Sequence, residues 1–62
     1  MACSDQQKTE LINRIVNQNE RYSRATVEKA VSLCCNESDD ITVVETCATE
    51  RAKMLHLIEY PS

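Results

Sequence analysis

The sequence contains no glycine, no phenylalanine and no tryptophan, and its single proline, Pro61, stands next to the last residue. Tight hairpin turns need positive φ angles that glycine supplies cheaply, so its absence argues against a β-rich domain. It also removes the glycine-rich loops that cradle phosphates. No apolar run approaches the roughly 20 residues needed to cross a membrane. The opening "MACSDQQ" has neither the basic region nor the apolar stretch of a signal peptide. These absences predict a soluble, cytoplasmic chain with no membrane partner.

Sixty-two residues allow one domain, 1–62. A chain this short buries only about 60% of its unfolded surface. Its core supplies about 3–5 kcal/mol, so small scaffolds need a crosslink, a metal or a partner subunit. The formal charge of -3 is unevenly spread. Residues 1–31 hold five basic against four acidic side chains, and residues 32–62 hold two against six. Phosphate recognition needs clustered positive charge, which the second half cannot supply.

Cys3, Cys34, Cys35 and Cys47 admit three readings: free core residues, disulfides or metal ligands. With no export signal, disulfides are disfavoured because reducing cytosol removes them. Cys34 and Cys35 would project about 100° apart on a helix, toward two neighbouring surfaces. Core packing is the favoured reading, since free cysteine behaves as a small buried hydrophobe. Adding His56 gives the candidate metal set Cys34, Cys35, Cys47 and His56. Zinc sites present ligand pairs two to four residues apart, a spacing these residues lack, so no metal or cofactor is expected. His56 reads as a partly exposed helix residue. No catalytic residue is assigned, because no serine or cysteine is set beside it as a nucleophile–base pair. The expectation is a protein that is not an enzyme.

What the sequence does contain is helical periodicity. Ser4 with Gln7 has the form of a capping box. Leu11, Ile12, Ile15 and Val16 then form one stripe. "NQNE" at 17–20 is a poor helix interior, because asparagine side chains compete for backbone hydrogen bonds. Ser23 suits a second cap, followed by Val27, Ala30, Val31 and Cys34, with Leu33 and Cys35 alongside. "NESDD" at 36–40 interrupts the pattern, Ser38 or Asp39 being suited to cap a third helix. In that helix Ile41, Val44, Ala48, Ala52, Leu55 and Ile58 form one face, and Val43, Cys47, Met54 and Leu57 a second. The expected fold is all-α: a small three-helix domain with helices at about 5–18, 24–36 and 40–59. An apolar surface this broad suits packing on two sides, and homodimerisation is the natural second contact.

"KTELINRI", a polar turn and "SRATVEKAV" together resemble the opening helical hairpin of the HU and integration-host-factor family of bacterial nucleoid proteins. The matching positions are Lys8, Thr9, Glu10, Leu11, Ile12 and Ile15, then Thr26, Val27, Glu28, Ala30 and Val31. The match covers about 24 of the 62 residues and rests on common helix-forming types. That family continues into a glycine-bearing sheet with basic, proline-tipped arms, for which this sequence has no material. The resemblance therefore implies the helical dimerisation region without the DNA-gripping arms.

Two functions follow as expectations. The first is a non-enzymatic regulatory or interaction protein that binds itself and another protein, with Val43, Met54 and Leu57 on its self-association face. The second is a nucleic-acid-binding regulator, helix-turn-helix or nucleoid-protein-like, using Arg14, Arg21, Tyr22, Arg24 and Lys29. Partner identity, source and pathway have no residues behind them.

Overall fold

A computed structural model describes residues 3–61. It contains α1 (Asp5–Gln18), α2 (Arg24–Glu37) and α3 (Ile41–Glu59), and no strand among the described residues. The expected all-α, three-helix domain is thus present, with boundaries displaced by no more than a residue.

Local chemistry explains where each helix starts and stops. Ser4 Oγ accepts from the Gln7 backbone N–H at 3.2 Å, while Gln7 Oε1 accepts from the Ser4 N–H at 3.0 Å. This reciprocal pair satisfies two N–H groups at a helix start. At the other end of α1, both the backbone and the side-chain amide of Asn19 donate to the Ile15 carbonyl. Asparagine there closes the helix rather than continuing it. Ser23 caps α2 through the Thr26 N–H. The third cap is Asp40, whose Oδ1 accepts from Thr42 N–H at 2.9 Å. Ser38, one of the expected caps, instead accepts from Asp40 N–H, and so shapes the turn leading to the cap.

α2 packs against both other helices, and the core runs along it. Val27, Ala30, Val31 and Cys34 are fully buried there, meeting Leu11 and Ile15 from α1 and Val44, Ala48 and Ala52 from α3. Ile12, Val16, Cys47 and Leu55 pack around this cluster, partly buried. The alanines let α2 and α3 approach closely, at the cost of a thin core.

Two expectations for this architecture need correction. Ile41 and Ile58 share one periodic face of α3 with Val44, Ala48 and Ala52, yet both are exposed. Ile58, fourteen positions after Val44, returns to within about 40° of it around the helix; it is exposed in the last turn of α3, beyond that helix's last fully buried residue, Ala52. Ile41 is the first residue of α3, before the helix has entered the core.

The second correction concerns the cysteines. They are not free: Cys3 is bonded to Cys35 and Cys34 to Cys47, with Cα–Cα distances of 5.8 and 5.9 Å. Projection onto two neighbouring surfaces is what lets adjacent residues serve two partners. Cys35 reaches the segment entering α1, and Cys34 reaches α3. Burial in the core was correctly expected for both; the crosslinks join that core rather than replace it.

Polar contacts complete the tertiary frame. Arg14 on α1 pairs with Glu45 on α3, and Arg51 on α3 pairs with Glu37 on α2 at 3.0 Å. Both pairs are substantially solvated, so each is worth at most about 1 kcal/mol. The buried polar residue Thr26 donates its hydroxyl to Glu59 Oε2 at 3.1 Å, and its Oγ1 lies 2.8 Å from Ser23 Oγ. Glu59 thereby ties the end of α3 to the start of α2, where a carboxylate also complements the helix dipole.

Candidate interaction surface

Helix α3 is apolar on more sides than its neighbours cover. Val44, Ala48 and Ala52 face α2 and are fully buried. On its outer side Val43 is 50% exposed, Met54 59%, Leu57 54% and Ile58 72%. Val43 and Met54 are eleven residues apart, three helical turns, so they lie almost in line. Leu57 and Ile58 follow Met54 at three- and four-residue spacing and widen the strip at its C-terminal end. Single exposed hydrophobes are ordinary on protein surfaces; these four fall within about 100° of arc on one side of α3, with exposed Thr46 and Glu50 between Val43 and Met54. Val43, Met54 and Leu57, singled out from periodicity, all lie on this surface. Ile58 belongs to it as well; its spacing from Val44 groups it with the buried face, so periodicity carried no signal of its exposure.

The proposed nucleic-acid residues do not assemble in the same way. Arg14 is paired with Glu45, and Arg24 with Glu28 at 3.5 Å and with the Asn13 amide oxygen at 2.9 Å. Tyr22 is half-buried against His56, with ring centroids 5.1 Å apart. Arg21 and Lys29 are exposed. Arg24 and Lys29, five residues apart, point about 140° from one another around α2. One carboxylate of the acidic second half, Glu45, reaches Arg14 of the first by tertiary contact, whereas Arg24 is paired locally with Glu28.

His56 is also distant in role from the candidate metal set. It packs between Tyr22 and Tyr60, each ring centroid 5.1 Å away. Cys34 and Cys47 do lie with Glu37 in a cluster whose ligand atoms fall within 4.8 Å of one another. Their sulfurs are bonded to each other, and Glu37 is held by Arg51. In the bridged state that cluster offers no thiolate to a metal.

Among the described residues, the His56 Nδ1 is buried without a hydrogen-bond partner. Leaving a polar atom unsatisfied costs about 1–3 kcal/mol, whereas an apolar group of the same shape avoids the cost. His56→Phe keeps a ring between the two tyrosines and is expected to stabilise the fold by about 1 kcal/mol. A urea midpoint that falls instead would show that the imidazole makes a stabilising contact.

No protein-family model matches this chain, and none of the curated proteins or solved structures matches it. The resemblance to the nucleoid-protein hairpin rests on its residues alone.

Proposed function

We propose that this chain is a non-enzymatic helical interaction module that acts by binding protein through the outer face of α3. The observation that carries this reading is the aligned exposure of Val43, Met54, Leu57 and Ile58 on a helix whose opposite face already fills the core. The first occupant of that face is a second copy of the chain. An ordinary specific interface takes about 800 Å² from each partner, roughly a fifth of the 4311 Å² this chain exposes. A helix of 19 residues, about 28 Å long, offers a strip of suitable length. Further partners would be basic, matched to the acidic second half, because complementary charge guides encounter. Sedimentation equilibrium tests the self-association: a dimer at high micromolar concentration supports it, and a monomer throughout that range removes it.

The two disulfides bear on where such a module works. Protein disulfides persist in oxidising compartments and are rare in the cytosol. They favour an oxidising compartment over the cytoplasmic placement drawn from "MACSDQQ".

Nucleic-acid binding is the second reading, supported by the exposure of Arg21 and Lys29. It is weaker because Arg14 and Arg24 are already engaged by acidic partners. Failure of both duplex DNA and RNA to shift at low salt, where phosphate contacts are strongest, would remove it.

A further inference from the structure

We infer that Asn36 is an acceptor for N-linked glycosylation. The inference rests on the oxidising compartment proposed above and on three features of the residue itself. Asn36-Glu37-Ser38 has the Asn-x-Ser form with x other than proline. The other asparagines, Asn13, Asn17 and Asn19, are followed two positions later by Ile15, Asn19 and Arg21, and none qualifies.

Position is the second feature. Asn36 lies in the last turn of α2, immediately before the short connection to α3, and it is exposed. Its side chain makes no hydrogen bond among the described residues, while its neighbours Glu37 and Ser38 are engaged with Arg51 and Asp40. The amide is therefore free for modification without loss of a structural contact. Cys34 and Cys35 pin this same turn through both disulfides, so the transfer takes place before those bridges close, while the segment is extended.

The third feature is compatibility with the interaction face. Cys34–Cys47 joins the C-terminal end of α2 to α3, and Thr26–Glu59 joins its N-terminal end to the far end of α3. The two helices are thus antiparallel. A glycan on Asn36 stands at the α2–α3 connection, the end of α3 that carries Val43, whereas Met54, Leu57 and Ile58 lie toward the opposite end and stay clear of it.

The donor class is an oligosaccharide carried on a lipid diphosphate. Asn36 Nδ2 forms a bond to the anomeric carbon of the sugar, and the bond from that carbon to the diphosphate oxygen breaks. The lipid diphosphate leaves with the bonding electrons, and one amide proton passes to a base on the transferase. No oxidation or reduction occurs.

The test is secretion of the full chain from eukaryotic cells behind a supplied signal peptide. Intact mass would be read before and after peptide N-glycosidase treatment, with disulfide mapping on the same material. The expected result is a sugar-bearing chain whose added mass is removed by the glycosidase, leaving aspartate at position 36. Asn36→Gln and Ser38→Ala each abolish the added mass, while Asn13→Gln leaves it unchanged. Secreted wild type with an unmodified Asn36 overturns the inference, whatever the disulfide map shows. An absent Cys3–Cys35 or Cys34–Cys47 link would separately count against the oxidising-compartment reading.

Discussion

Reduction of both disulfides is expected to unfold most of this protein at room temperature. On a chain-entropy account Cys3–Cys35, separated by 32 positions, contributes about 4 kcal/mol, and Cys34–Cys47, separated by 13, about 3 kcal/mol. Against this, roughly 0.05–0.15 kcal/mol per residue is the usual net stability, or about 3–9 kcal/mol for a chain of this length. The bridges therefore match the whole margin. The thinness of the core explains why: α3 contributes Val44 and two alanines as its fully buried residues, and alanine removes little apolar area from water. Far-UV circular dichroism with and without a phosphine reductant is the measurement. Removing only the shorter link, by Cys34→Ala with Cys47→Ala, should lower Tm by roughly 12–24 °C, at about 4–8 °C per kcal/mol for a domain this small. A reduced chain that melts cooperatively within a few degrees of the oxidised one would show that helix packing alone holds the fold.

The second large effect is expected at the outer face of α3. Met54→Lys combined with Leu57→Glu should weaken self-association at least about 100-fold, equivalent to about 2.8 kcal/mol. In a two-fold symmetric dimer each substitution is counted twice. Four charged side chains would then enter an apolar contact where burial of each original side chain is worth about 1.5–3 kcal/mol when complete. Both positions are more than half exposed in the monomer, so its own helicity and melting should change little; surface substitutions usually fall within about 0.5 kcal/mol. Sedimentation velocity over a concentration series separates the two quantities. Equal association by variant and wild type would place the contact elsewhere on the molecule.

The helices were legible because their signals are local. A capping box at Ser4–Gln7, a cap at Ser23 and Asn19 at the end of α1 act through neighbours within four positions. The stripe formed by Val27, Ala30, Val31 and Cys34 survives intact because three- and four-residue steps alternate along it and keep it on one face. Spacing placed Val43, Met54 and Leu57 on one stripe with Cys47, but it could not say which of the two α3 stripes faces out, and Cys47 is half-buried against the core. Less legible were Ile41 and Ile58, where helix geometry was known but the edge of the groove was not. The four cysteines misled in a specific way. Compartment reasoning favoured free thiols, whereas the observation that Cys34 and Cys35 face different surfaces already described the geometry of two bridges.

Composition and periodicity by themselves determined that this chain makes three helices, where each begins and ends, and which side of each is apolar. Those properties follow from backbone torsions and contacts only a turn or so away. Tertiary structure alone decided the partners across the molecule: Cys3 with Cys35, Cys34 with Cys47, Arg14 with Glu45, Thr26 with Glu59. Each depends on the antiparallel course of helices separated by 13 to 33 positions, a distance over which one-dimensional spacing carries no orientation.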